Sequence, residues 1–144
     1  SMESMWQRLG VGHWDVYVSP PSFFQDVVYR GQKGSFGMDC ARTKLGKMDL
    51  ELIQPTEGQS PFSDFLKDHG EGIHHFGWMV VPDLAGAIRT MESKGFPCLM
   101  TARIPGIRFA YFDTTTVLGA LLEAFELDKS AKPRKPDRVW PEPK

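Results

Sequence analysis

The sequence predicts an α+β domain made of two units of one plan, strand–helix–three strands, with the opening strand of the first unit missing. Three observations carry this. From His74 to Glu126 the apolar pattern runs strand, helix, then three strands. The first half repeats the end of that order, and Met5 to Val11 parallels Met91 to Pro97 when Gly10 is set near Gly95. The composition, 41% hydrophobic and 24% charged over 144 residues, suits a single soluble globular domain.

The elements follow in order. Met2 to Leu9 is helix-compatible, with Met5 and Leu9 on one face, and Gly10 ends it. His13 to Val18 is rich in β-branched and aromatic residues and reads as a strand, which Pro20-Pro21 closes. Ser22 to Lys33 stays open: Phe23, Phe24, Val27 and Val28 suit a helical turn, while Val27 to Tyr29 suits a strand. Ser35 to Thr43 is a strand, Leu45-Gly46-Lys47 a tight turn, and Met48 to Gln54 an alternating strand. In that strand Leu50 and Leu52 share one face, and Asp49, Glu51 and Ile53 the other. Pro55 to Gln59 reads as a loop. Ser60-Pro61 opens a short helix in N-cap and first-turn positions, with Phe62, Phe65 and Leu66 as its apolar stripe and Gly70 and Gly72 at its end.

His74 to Val81 opens the second unit. Asp83 to Lys94 is a helix with Leu84, Ala87, Ile88 and Met91 inward. Phe96 to Ala102, Arg108 to Thr114 and Ala120 to Glu126 are its three strands, with turns at Pro105-Gly106 and from Thr115 to Gly119. These boundaries give a first unit at 1–58, a linking helix at 59–73, a second unit at 74–127 and an extended Pro-rich tail at 128–144. The tail offers Val139 and Trp140 for docking.

Several classes of function are excluded or weakened. With 17 Lys+Arg against 18 Asp+Glu the net charge is −1, without the basic excess that nucleic-acid or anionic-membrane surfaces call for. No apolar run reaches bilayer-spanning length. Cys40 and Cys98 are far apart and form no CxxC pair, which predicts neither a disulfide framework nor a thiolate zinc site and makes the cytoplasm the expected compartment. No phosphate loop, nucleophile elbow or nucleotide fingerprint occurs.

The run Leu50-Glu51-Leu52-Ile53-Gln54-Pro55, then Phe65-Leu66, then Gly70-Glu71-Gly72-Ile73-His74-His75, resembles the vicinal oxygen chelate superfamily. That superfamily includes glyoxalase I, methylmalonyl-CoA epimerase, extradiol dioxygenases and bleomycin-resistance proteins. Tyr111-Phe112-Asp113 and Leu118-Gly119 through Glu123 fit the same likeness. It implies two βαβββ units folded into a cupped mixed sheet around a divalent metal, Zn, Ni, Co, Mn or Fe. The ligands come from the first and last strands of each unit. Here those positions are Glu51, His75 and Glu123, and the resemblance makes Glu123 or Glu51 the catalytic base. A neutral imidazole with carboxylates suits such metals chemically, and a metal-bound carbonyl acidifies the neighbouring C–H.

Without the repeat, Glu51 and Glu123 would read as solvent-facing strand residues and His74-His75 as a surface pair. The fourth ligand of the family, a His on the first strand, has no counterpart, because the matching position falls before the first residue. His13 has two readings. Either it opens the unit, or it sits on the second strand as a rim or pocket residue; element order favours the second. Met79, Phe109, Tyr111 and His13 are the candidate substrate-lining residues. His74 is expected to point away from His75 by strand alternation. Arg103 and Arg108 read as solvated charges, or as an anion clamp.

The implied function is proton transfer at the carbon beside a carbonyl in a small oxygen-chelating substrate, by an isomerase or lyase. The alternative is a metal-free module that sequesters small molecules. A further expectation is that Ser1-Met2 is a cloning remnant and that the coding start omits part of the first unit. An uncovered strand edge predicts a homodimer, with exchanged elements or with the tail filling the gap.

Overall fold

The computed structural model describes residues 1–129 and 131–142, apart from the side chains of Trp78 and Met79. The chain forms α1 (Met2–Leu9), β1 (Trp14–Ser19), a 3-10 turn at Pro21–Phe23, β2 (Gln25–Tyr29), β3 (Gln32–Lys33), β4 (Phe36–Leu45) and β5 (Met48–Gly58). It continues with α2 (Pro61–His69), β6 (His75–Val80), α3 (Leu84–Ser93), β7 (Cys98–Ile104), β8 (Ile107–Phe112), α4 (Thr115–Leu118), β9 (Leu121–Leu127) and β10 (Arg138–Trp140). No helix among the described residues is long and apolar enough to cross a membrane.

Two sheets result. One has the order β10-β1-β4-β5, the other β3-β2-β7-β8-β9-β6. In the second unit the first strand, β6, lies parallel beside the last, β9, while β7, β8 and β9 run antiparallel. The first half has the same arrangement without that first strand. β1 pairs antiparallel with β4, and β4 with β5. This decides between the two readings of His13, since an opening strand would lie parallel to β5. β1 is the second strand of its unit.

The layers follow from alternation. Leu50 and Leu52 turn outward with Trp14, Val16 and Ala41 to pack beneath Met2 and Met5 of α1. Ala110, Phe112, Leu122 and Ala124 pack beneath Leu84, Ile88 and Met91 of α3. The inner faces of the two sheets meet in the main core, where Phe36, Met38 and Ile53 face Phe109, Tyr111, Leu121 and Phe125. Trp14, Phe36 and Phe112 are fully buried, each contributing roughly 1.5–3 kcal/mol or more by burial of apolar area.

The open segment at 22–33 resolves into the 3-10 turn and the β2–β3 hairpin. Arg30 and Gly31 both have positive φ, as a two-residue hairpin loop of the primed type requires. This hairpin belongs to the first half by sequence but pairs through β2 with β7 in the second sheet. β5 runs through Pro55 to Gly58 where a loop was expected. Pro55 is tolerated because β5 is an edge strand, so its missing N–H interrupts no second ladder. The turn expected at Thr115 to Gly119 is one helical turn with Gly119 left-handed at its end.

The tail returns as β10 along β1, placing Trp140 against the α1 layer. Arg134 fastens it with bonds to Ser19 Oγ, the Val18 carbonyl and Asp137. The tail therefore lies at the edge opposite β5 and does not fill the gap there.

α2 is set by its cap. Ser60 Oγ accepts from the Ser63 N–H, and Ser63 Oγ accepts from the Ser60 N–H. Ser60 is fully buried, and the cap fixes Phe62 two residues on. Ser60→Ala is expected to cost about 1 kcal/mol, as an N-cap loss does, measured as a lower midpoint in thermal or urea unfolding.

Candidate functional site

The inner faces of β4, β5, β8 and β9 bring together a group of polar side chains in an otherwise aromatic core. Glu51 on β5 faces Arg42 on β4, with Arg42 Nε 2.8 Å from Glu51 Oε1. On the other sheet His75 Nε2 lies 3.6 Å from Glu123 Oε2. Tyr111, fully buried beside Glu123 in the β8–β9 register, donates its hydroxyl to that carboxylate. The buried Cys40 thiol lies within the fields of Glu51, Arg42 and Glu123 together. Gly77 leaves room here, since a Cβ on it would meet Glu123 Oε2 at 3.4 Å.

Exposure falls across the group. The side chains of Arg42 and Glu51 are 51% and 28% exposed, and those of Glu123 and His75 are 18% and 10% exposed. Arg42 thus lies at the exposed end of the group and His75 at its buried floor. Phe62 from α2 roofs the floor, its ring centroid 4.9 Å from that of His74, 6.3 Å from His75 and 5.4 Å from Tyr111. Two cavities lie elsewhere. One of 350 Å³ runs between Pro55–Gly58 and Lys67, and one of 220 Å³ lies beside Cys98 and Ile88. Neither is lined by Glu51, His75 or Glu123.

Burial first, and then the charge of Glu51, push the Glu123 carboxyl up to about 7, against smaller opposing effects of Tyr111 and Arg42. Burial, with His74 adding to it, lowers His75 to about 4, so its ring is neutral at physiological pH. Tyr111 is raised well above the ordinary tyrosine range by burial and the two glutamates, and keeps its proton. Burial likewise raises Cys40 to about 12, which leaves it an unreactive thiol.

The sequence-predicted residues divide accordingly. Tyr111 lies against Glu123 and His75, with Phe109 packed edge-on to Tyr111. His13 is exposed, and its ring lies against Trp6 of α1 at 5.3 Å. The Met79 side chain lies outside the described residues. His74 does not point away from His75: their Nδ1 atoms are 3.0 Å apart. It precedes β6, so strand alternation does not govern it. Arg103 pairs with Asp26 and Gln25, and Arg108 with Glu126, so neither is a free clamp. Arg42 and Cys40 were missed. The two-residue turn at Gly46-Lys47 sets Leu45 opposite Met48, and counting back from it places Arg42 opposite Glu51.

The expected metal donors, Glu51, His75 and Glu123, are a neutral imidazole and two carboxylates. They are not assembled: among the described residues no three His, Cys, Asp or Glu side chains converge on a point that could hold a metal ion. Glu51 is engaged by Arg42, and His75 Nε2 lies 3.6 Å from Glu123 Oε2. The residues as placed do not fit a metal centre.

A family model described as glyoxalase/bleomycin resistance protein/dioxygenase superfamily matches residues 1–111. The chain belongs to that superfamily. The matched stretch includes Glu51 and His75 and stops short of Glu123, whose place rests on the fold. A solved methylmalonyl-CoA epimerase in complex with methylmalonyl-CoA and NH4+ superposes with a TM-score of 0.54 at 20% identity, covering 91% of this chain and 87% of that one. A Streptomyces coelicolor methylmalonyl-CoA epimerase variant in complex with 2-nitronate-propionyl-CoA gives the same score, identity and coverage. A hypothetical protein from Bacillus halodurans C-125 gives 0.50 at 20%, covering 92% and 91%. At this identity the likeness establishes the fold. No curated protein sequence matches the chain.

Proposed function

We propose that this protein moves a proton on and off the carbon beside a carbonyl in a small acyl compound of the malonyl or methylmalonyl thioester type, with Glu123 as the base. One observation carries the reading: Glu123 is a largely buried carboxylate, 3.6 Å from the His75 ring, whose proton affinity is held near neutrality. A base with an affinity near the working pH is present in both forms and can take and return a proton. The superfamily fold and the epimerase neighbours support the substrate class.

In the step, the α-C–H bond breaks, its proton goes to a Glu123 oxygen, and its electron pair moves into the carbon skeleton as the carbonyl becomes an enolate. Return of the proton to either face ends the cycle. Tyr111 donates to Glu123 and fixes its carboxylate plane. Neutral His75 fills the floor without adding a charge, and Phe62 and Phe109 keep water from the enolate. Glu51 is engaged by Arg42, so it positions that guanidinium and Glu123 serves as base. No metal enters this scheme, because the side chains that would ligate one do not converge.

Incubation with methylmalonyl-CoA in D2O tests the reading, with loss of the α-proton signal followed by NMR. Exchange well above the protein-free rate is expected. Saturable binding of the thioester with no exchange would instead identify a sequestering protein.

A further inference from the structure

The step above puts negative charge on the substrate's carbonyl oxygen. A donor is needed opposite it, aimed where that charge forms. Within the polar group the one side chain whose positive charge reaches Glu123 is Arg42. Its guanidinium is held on three sides. Nε is bonded to Glu51 at 2.8 Å, the Cys40 thiol accepts from it, and its Cζ lies 5.4 Å from the centroid of the Tyr17 ring. Tyr17 is braced in turn by Arg134 of the tail, also at 5.4 Å.

Arginine has five N–H donors. Glu51 and Cys40 account for two, and the side chain is half exposed, so three N–H groups are left for a substrate. Asp15, opposite Arg42 in the β1–β4 register, and Glu51 flank it with negative charge. A substrate carboxylate seated on these N–H groups would meet both. A neutral carbonyl would not, and would acquire its charge only as the proton leaves. The flanking carboxylates thus favour a donor that acts during the reaction over a clamp for a resident anion.

We infer that Arg42 is the oxyanion donor of this site, a catalytic residue that binds the substrate carbonyl through its terminal N–H groups and stabilises the enolate as Glu123 takes the α-proton. The inference rests on the reading of Glu123 above. It goes beyond it in giving the developing charge a protein partner on β4.

Kinetics and binding of Arg42→Met and Arg42→Lys test it, with folding checked by circular dichroism. The exchange rate at saturation is expected to fall roughly 100-fold or more in Arg42→Met, as loss of an oxyanion donor does, with little change in KM. Arg42→Lys, which keeps charge without the planar fork, regains part of it. A nitronate analogue of the thioester carries its negative charge on oxygen as an enolate does. Its affinity relative to the neutral thioester is expected to fall in Arg42→Met. An unchanged exchange rate together with an unchanged nitronate-to-thioester ratio in a folded Arg42→Met protein would overturn the assignment. If Arg42→Met does not fold, a nitronate that leaves the Arg42 side-chain NMR signals of the wild type unmoved overturns it as well. Failure of the wild type to exchange at all would strike the reading of Glu123 instead, and the nitronate arm still reads Arg42 alone.

Discussion

Glu123→Gln is expected to lower α-proton exchange by a factor of about 10² to 10⁴, the usual worth of a positioned acid–base group. Gln keeps the volume and can still accept from Tyr111, so packing at the β8–β9 register is retained. What it removes is the proton carrier. It also removes a charge that the fold holds at a cost. Burial and Glu51 lift this carboxyl from 4.5 to about 7, so in its ionised state Glu123 opposes folding. The variant is therefore expected to be more stable than the wild type above neutral pH, by about 3 kcal/mol at most. Loss of activity with gain of stability is the signature of a group kept for chemistry. Wild-type exchange by a folded Glu123→Gln protein would remove Glu123 from the mechanism.

The second large effect concerns pH, where Glu123 and His75 act in opposite senses. Glu123 has a raised affinity in the folded state, so its contribution to stability is complete below 4.5 and is lost as pH rises to about 7. His75 has a lowered affinity, 6.5 falling to about 4, so its contribution is complete above 6.5 and is lost as pH falls toward 4. Between 4.5 and 6.5 the folded state holds one more proton at Glu123 and one fewer at His75 than the unfolded chain, and the two slopes cancel. Single substitutions uncover each slope. In Glu123→Gln, stability is expected to rise with pH across that window; in His75→Asn it is expected to fall. Each slope approaches about 1.4 kcal/mol per pH unit. Urea unfolding from pH 4 to 8 measures them. Variant curves parallel to the wild type would show that neither group is perturbed as described.

The parts of the fold legible in the sequence are those with strict periodicity. Leu50 and Leu52 against Glu51 and Ile53 give both the strand and its two faces, and Leu84, Ile88 and Met91 give the buried stripe of α3. Gly46, Ser60 and Gly119 mark turns and caps because each has a stereochemical reason to be there. The β2–β3 hairpin was ambiguous because Phe23, Phe24, Val27 and Val28 fill four of six successive positions and fit either period. Only pairing with β7, far along the chain, selects the strand. The continuation of β5 through Pro55 was hidden because proline normally ends a strand, and an edge position is visible only once the sheet is assembled.

The site was legible as residue types on strands, and less so as contacts. Glu51, His75 and Glu123 stood out by their places in the repeat, but their company did not. Arg42 is an ordinary strand arginine until the Gly46-Lys47 turn sets it opposite Glu51. His74 obeys alternation only if it lies within β6, and it lies one residue before it. His13 sits one residue before β1, a second strand, and its ring goes to Trp6 of α1.

The central claim is that Glu123 is a buried base poised near neutral pH. Carboxyl ¹³C NMR on selectively labelled protein, with the Glu123 signal assigned through Glu123→Gln, measures this directly. A titration midpoint near 7 is predicted; a midpoint near the ordinary 4.5 would contradict it.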